Sequence, residues 1–266
     1  MIALITDFGT NDLYAGLMKA AIAALAPAIP IIDITHSIPS HDRAAGSFAL
    51  ACAFDYLPKG TVIVAVVDPG VGSNRRRIAV AIDNRVVVCP DNGLLGDLLH
   101  THSVVDAVEL DRAEFFANMP SPTFDGRDVF APVAAQLATG TPLRNLGMPI
   151  SDAQFVLATN TLVDAARSHK AGAIGHVRHV DKFGNLVTDI QSSLLQKAAG
   201  QFTVRIGSTP EREASYVRTY SDVRLDEPCL LTGSSAYVEF ARREGRAIDW
   251  YSNLTLPEPI VIERAS

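Results

Sequence analysis

The sequence predicts an α/β N-terminal domain with a mostly parallel sheet, plus a smaller all-β C-terminal domain. In the first half, strand-like runs that are apolar throughout alternate with helical patterns, which is typical of a parallel sheet covered on both faces. After residue 171 the helical patterns fade, and short strands separated by Gly, Ser and Asp take their place. We therefore predict domains at residues 1–160 and 171–266, with the boundary between residues 151 and 171.

The elements of the N-terminal domain follow from apolar runs and from the turn residues that end them. Strands are predicted at residues 2–6, 31–34, 61–67, 78–82 and 86–88. Helices are predicted at residues 11–25, 42–57 and 128–138. Helical spacing gives the first helix one apolar face, formed by Leu13, Leu17, Ala20, Ala21, Ala24 and Leu25.

The C-terminal domain shows only short apolar runs between turn residues. Strands are predicted at residues 175–180, 186–190, 202–206, 216–219, 230–232, 237–241 and 260–263. This spacing of short strands favours a compact all-β unit.

Charge and cysteine usage exclude several classes of protein. The 266 residues carry a net charge of -6, which gives no overall electrostatic reason to bind nucleic acid or an anionic membrane. Cys52, Cys89 and Cys229 lie far apart without metal-type spacing, so we predict buried thiols and no metal. Since no basic leader and no long apolar run is present, we expect a cytoplasmic protein.

Acidic residues follow three of the predicted strands, Asp7, Asp68 and Asp91, and Asp7 and Asp68 are the site candidates because ligands bind at this end of the strands in open α/β sheets. Asp7 and Asp68 each follow an apolar strand and precede a glycine-containing turn. The glycine-rich turn after Asp68 could bend Arg75 back toward this carboxylate. The alternative is that these acids only close Asx turns or cap helices, as Asp125 or Asp128 could do farther along the chain.

Six motifs in order resemble one family over nearly the whole chain. They are Thr6-Asp7-Phe8-Gly9, Asp68-Pro69-Gly70-Val71-Gly72-Ser73 with Arg75, Pro90-Asp91-Asn92-Gly93-Leu94-Leu95, Thr123-Phe124-x-Gly126-Arg127-Asp128, Phe183-Gly184-Asn185 and Gly233-Ser234-Ser235. Together they resemble the S-adenosylmethionine (SAM) hydroxide adenosyltransferases, or SAM hydrolases, which are relatives of the fluorinases and chlorinases.

The resemblance implies a reaction and a set of site residues. Water or hydroxide would attack C5′ of SAM and expel methionine, leaving adenosine, with SAM as substrate and no cofactor. It also implies a homotrimer whose sites lie between neighbouring subunits. The catalytic residues would be Asp68, Arg75 and Asp125. The substrate-binding residues would be Asp7 at the ribose, Asn185 at adenine, Tyr220 stacked on the base, Asp181 and Ser234 at the methionine end, together with Asp12, Ser235, Tyr237 and Glu239.

Position 125 departs from the pattern of the family. The hydrolases carry histidine in Phe-His-Gly-Arg-Asp, where this chain has Asp125. Two acids beside Arg75 could orient a water molecule, or they could repel each other until Asp125 takes up a proton. We therefore expect that histidine at position 125 would raise the rate.

The departure also leaves two other functions open. One is a protein that binds SAM or adenosine without turnover, because the family histidine is missing. The other is a SAM-dependent halogenase, which ranks last because the halogenases carry tyrosine where this chain has Asp68, and a carboxylate would repel halide.

Overall fold

A computed structural model of the chain describes residues 1–151, 155, 166–169, 172–195 and 200–265. The chain divides into two compact units, Met1–Leu162 and Val163–Ser266. The predicted boundary between residues 151 and 171 falls largely outside the described ranges. None of the helices in those ranges is both long enough and apolar enough to cross a membrane.

The N-terminal unit is built on a seven-stranded sheet in the order β2-β1-β3-β5-β4-β6-β7. Its strands are β1 (Ile2–Thr6), β2 (Ile31–Thr35), β3 (Val62–Val66), β4 (Arg77–Ile82), β5 (Arg85–Pro90), β6 (Val104–Glu109) and β7 (Met148–Pro149). The first four strands of that order run parallel, and β4, β6 and β7 extend the sheet with antiparallel pairings. The predicted mostly parallel sheet is confirmed, whereas β6 and β7 were not predicted.

Helices cover both faces of this sheet, as predicted. They are α1 (Tyr14–Leu25), α2 (Arg43–Phe54), α3 (Gly96–Leu99) and α4 (Ala131–Ala138), the last continuing a π-helical turn at Gly126–Phe130. One core joins α1 and α4 to one face of the sheet, and a second core joins α2 to the other face. The second helix begins after Asp42, whose side chain caps it by accepting a hydrogen bond from the Ala45 N–H at 2.9 Å.

The apolar face predicted for the first helix is wrong for four of its six residues, since only Leu17 and Ala21 pack against the core. The helix begins at Tyr14, and Leu13 and Leu25 are 69% and 50% exposed. The buried residues are instead Ala15, Met18 and Ile22. Because α1 is apolar or small almost all round, spacing alone cannot choose between its faces, and packing against α4 decides.

The C-terminal unit is an all-β sheet that closes on itself. Its strands are β8 (Arg167–His169), β9 (Gly172–Val180), β10 (Leu186–Gln191), β11 (Gln201–Ile206), β12 (Arg212–Tyr216), β13 (Pro228–Thr232), β14 (Tyr237–Arg242) and β15 (Glu258–Arg264). They follow the order β10-β14-β13-β12-β11-β15-β9-β8, and β10 also pairs with β9. The all-β prediction is confirmed, and Phe202 and Phe240 lie fully buried in its core.

The strand predicted at residues 216–219 is displaced. Strand β12 ends where that prediction begins, at Tyr216. Thr219 instead opens a turn, because its side chain and that of Asp222 cap each other's backbone N–H groups. Short polar strands such as β12 carry no apolar alternation by which the sequence could locate them.

Within the part of the chain that the structure describes, none of the three cysteines forms a disulfide bond. Cys89 and Cys229 are buried as predicted, and burial raises the pKa of Cys229 to about 11. Cys52 departs from the prediction, since it is only half-buried on α2.

Candidate active site

The carboxyl ends of two neighbouring parallel strands place acidic side chains around one cavity. Strands β1 and β3 pair in parallel, so Asp7 and Asp68 leave the sheet at the same edge. The cavity has a volume of about 560 Å³. Four of the predicted site residues line it: Asp7, Asp12, Asp68 and Asp125.

A buried ion pair holds Asp68, one of the carboxylates that line this cavity. Arg75 Nε donates to Asp68 Oδ1 at 2.8 Å and to Asp68 Oδ2 at 2.7 Å, and Arg75 Nη2 also donates to Oδ2. The two side chains are 8% and 4% exposed. The guanidinium also lies over the ring of Phe130, 5.9 Å from its centroid. The prediction that the turn brings Arg75 back to Asp68 is confirmed.

A glycine lets the turn approach the next segment of the site. Gly72 has a φ of +79°, and a Cβ atom there would lie 2.7 Å from the carbonyl oxygen of Pro122. Only glycine adopts this backbone conformation readily and leaves space for that carbonyl group. The turn therefore lies directly against the segment that leads to Asp125.

Asp125 completes the buried cluster and is not merely a helix cap. Its side chain is 1% exposed and caps no backbone N–H group. Its Oδ2 accepts hydrogen bonds from Arg75 Nη2 and from Arg77 Nε, the latter at 2.9 Å. Its Oδ1 is buried without a hydrogen-bond partner among the residues that the structure describes.

Asp128, the other candidate helix cap, serves a local structural role. It accepts a hydrogen bond from the Ser121 N–H at 2.7 Å and forms an ion pair with Arg127, whose Nε lies 2.6 Å from Asp128 Oδ1. These contacts hold Asp128 to its own turn, and the bond to Arg127 lowers the pKa of this carboxyl group.

The charges within the cluster compensate one another. Burial disfavours the charge of Arg75, but hydrogen bonds to Asp68 and Asp125 outweigh burial and raise the pKa of the guanidinium. The sequence predicts one arginine beside two acids, whereas the structure adds Arg77. The spacing of Arg75 and Arg77 could have indicated this second arginine, because side chains two positions apart point the same way when the backbone is extended.

Aromatic side chains line the mouth of the same cavity, and the sequence analysis did not single them out. Phe8 and Tyr14 each pack against Phe124, with ring centroids 5.7 and 5.2 Å apart. Electron-rich ring faces attract cations, and the guanidinium of Arg127 already lies 5.0 Å from the centroid of the Phe124 ring.

A second cavity of about 820 Å³ lies within the C-terminal unit. Five predicted binding residues line it: Asp181, Asn185, Tyr220, Ser234 and Glu239. Ser235 and Tyr237 are not part of this lining. The cavity also contains arginines that the sequence analysis missed, namely Arg218, Arg242 and Arg246.

Hydrogen bonds within this second cavity orient its polar groups. Asp181 Oδ1 accepts from the Asn185 N–H at 2.8 Å, and Asp181 Oδ2 accepts from Asn185 Nδ2 at 2.9 Å. The Tyr220 hydroxyl donates to Glu239 Oε2 at 2.8 Å. Burial raises the pKa of Glu239, and burial together with this hydrogen bond raises the pKa of Tyr220. The Tyr220 side chain is still accessible, being 38% exposed.

Both units match domains of one protein family. Residues 2–147 match the SAM hydroxide adenosyltransferase N-terminal domain, and residues 175–254 match the SAM hydroxide adenosyltransferase C-terminal domain. The order of the two matches is the order of the two units.

Similar proteins cover almost the full length of the chain. It is 38% identical to an (R)-S-adenosyl-L-methionine hydrolase from Salinispora arenicola, covering 93% of this chain and 92% of that protein. A fluorinase from Actinoplanes is 26% identical, covering 91% and 90%. A crystal structure of an uncharacterized conserved protein from Thermotoga maritima matches with a TM-score of 0.92 and 33% identity, covering 98% and 100%. With both domains matched in order, the chain belongs to the SAM hydroxide adenosyltransferase family.

Proposed function

We propose that this protein hydrolyses S-adenosyl-L-methionine to adenosine and L-methionine. The observation that carries the proposal is the buried Asp68–Arg75–Asp125 cluster at the wall of a cavity, in a chain of this family. The named hydrolases among its relatives, at 38% and 36% identity, support the same reaction.

The proposed reaction is an in-line displacement at carbon. A water oxygen forms a bond to C5′ while the C5′–sulfur bond breaks, and the electron pair leaves on the methionine sulfur. Since a sulfonium becomes a neutral thioether, the leaving group needs no proton. The protein must therefore position the water, stabilise its developing negative charge and accept its proton, and Arg75 beside two carboxylates supplies the charges.

The remaining site residues are proposed to hold the substrate. Asp7 accepts the His41 N–H at 2.9 Å through Oδ2, which leaves Oδ1 for a ribose hydroxyl group. Asn185 is oriented by Asp181 and offers its carbonyl oxygen to the adenine amino group. Asp12, Ser234 and Glu239, and with less structural support Ser235 and Tyr237, stay candidates for other contacts.

Product analysis tests this function against its two alternatives. Incubation with SAM in ¹⁸O-labelled water should yield adenosine labelled at the 5′-oxygen, because water is the nucleophile. High chloride should not compete, because Asp68 and Asp125 would repel an anion. Chromatography and mass spectrometry measure both outcomes.

Each alternative gives a different result in that assay. Binding of SAM without release of adenosine would identify a binding protein, for which the replacement of the family histidine by Asp125 is the motive. Formation of 5′-chloro-5′-deoxyadenosine would identify a halogenase.

We also propose that the protein is a homotrimer whose sites combine residues of neighbouring subunits. The proposal rests on the resemblance to the family. Static light scattering should give three times the mass of one 266-residue chain. A monomer that is fully active at nanomolar concentration would contradict a shared site.

A further inference from the structure

The hydrogen bonds of the two buried carboxylates are unequal. Both oxygens of Asp68 accept hydrogen bonds from Arg75. In Asp125, Oδ2 accepts from Arg75 and Arg77, whereas Oδ1 has no hydrogen-bond partner among the described residues. A buried carboxylate oxygen without a partner is costly, and it is satisfied when a ligand donates to it. The Asp125 side chain lines the cavity, so a molecule bound there lies next to this carboxylate.

Arg77 contributes a second positive charge to the cluster of Asp68, Arg75 and Asp125. Its side chain is 34% exposed, and its Nε atom lies 2.9 Å from Asp125 Oδ2. The Asp68–Arg75 pair is already neutral by itself, so Asp125 without Arg77 would add an uncompensated negative charge. A second guanidinium balances the charge of Asp125 and fixes the orientation of its carboxylate.

We propose that Asp125 Oδ1 accepts the proton of the attacking water and that Arg77 is the positioning residue that keeps Asp125 ionised and correctly oriented. This inference rests on the proposed hydrolysis of SAM. In this chain an aspartate–arginine pair then does the work for which the related hydrolases use a histidine. A neutral imidazole needs no counter-ion, whereas a buried carboxylate does.

The step balances without any further reactant. As the water oxygen bonds to C5′, one water proton moves to Asp125 Oδ1, and the C5′–sulfur electron pair stays on methionine. Adenosine keeps the other proton as its 5′-hydroxyl hydrogen. Asp125 then returns its proton to solvent, so the net products are adenosine, methionine and one proton.

Other charged and titratable groups surround Asp125. Arg127 is already neutralised by Asp128. The Cys89 thiol, which interacts with Asp68 and Arg75, is fully buried, and burial raises its pKa well above the usual value, so it stays neutral. The remaining titratable residues of the cavity lining are Asp7, Asp12, Tyr14 and His41.

The test compares the pH dependence of kcat for the full-length protein and its Arg77→Gln variant. Removing a cation beside Asp125 makes the carboxylate hold its proton to a higher pH. The acid limb of the kcat profile should therefore shift upward by about one to three pH units, the usual effect of an adjacent opposite charge. At high pH kcat should approach the wild-type value, and KM for SAM should change little. Arg77→Lys keeps the positive charge and should restore most of the wild-type profile.

Arg144→Gln is the matched control. Arg144 also pairs with a carboxylate of the N-terminal unit, Asp106 at 2.7 Å, but it lies outside the cavity lining. Its profile should superimpose on that of the wild type. The thermal unfolding midpoint of each variant should be measured to establish that the variant is folded.

Two results would overturn the inference, and they differ in whether the proposed hydrolysis of SAM survives. If the wild type releases adenosine and Arg77→Gln leaves the acid limb unmoved, Arg77 does not act through Asp125, and the proposed hydrolysis still stands. If the wild type releases no adenosine from SAM, the proposed function fails and the inference fails with it.

Discussion

Replacing Arg75 by alanine should lower kcat for SAM hydrolysis by about 100- to 1000-fold, the usual cost of removing one preorganised electrostatic group. Arg75 is the only residue shown to bond to both Asp68 and Asp125 within the described part of the chain. In the proposed mechanism, its loss removes the positive charge that stabilises the developing hydroxide. Single-turnover measurement of adenosine release isolates this effect from product release.

Arg75→Ala should also destabilise the fold. A second variant, Asp68→Asn, therefore separates the loss of activity from the loss of stability. Removing one partner of a buried ion pair costs about 3–5 kcal/mol, because the other charge is left uncompensated. Asp68→Asn keeps the shape of its side chain and retains Arg75 between two polar groups, so it should lose activity with a smaller loss of thermal stability. Wild-type turnover in both variants would show that the active site lies elsewhere.

Replacing Asp125 by asparagine should reduce kcat by a similar factor of about 100- to 1000-fold. The amide keeps the size of the carboxylate, but it cannot take up a proton and leaves Arg77 without its counter-ion. KM for SAM should change much less, because the loss concerns the attacking water. Initial rates over a range of SAM concentrations separate the two parameters.

Histidine at position 125 is the informative comparison. From the sequence alone, histidine at this position is expected to raise the rate. The structure changes that expectation, because histidine at position 125 would leave Arg77 without its counter-ion beside the imidazole, while Asp68 continues to balance Arg75. Asp125→His should therefore lose activity, and adding Arg77→Gln should recover part of it. A rate that Asp125→Asn leaves unchanged would remove Asp125 from the catalytic residues.

The sequence predicted those features that depend on local pattern. Unbroken apolar runs located β1 and β3, and the acids that follow them lie at one edge of the sheet because parallel neighbours end together. The glycine-rich turn after β3 carried enough information to pair Asp68 with Arg75, since both partners lie in one short segment.

The sequence did not predict features that depend on distant packing. The contact between Arg77 and Asp125 joins residues that are 48 positions apart, and no short motif contains both. The buried face of α1 was wrong for a related reason, because α4 selects that face and belongs to a different part of the chain. In the C-terminal unit, the arginines of the second cavity lacked any fixed spacing by which they could be grouped.

The contact between Gly72 and the Pro122 carbonyl group has a consequence for how such a site evolves. With no side chain between them, two backbone segments hold a fixed separation, and the side chains that project from them meet at a set distance. The chemistry of the site can then be exchanged by replacing single side chains while the main chain stays in place. Asp125, at the position where the family pattern has histidine, fits a substitution of this kind. Different proton acceptors can therefore occupy position 125 while the backbone around the site keeps its conformation.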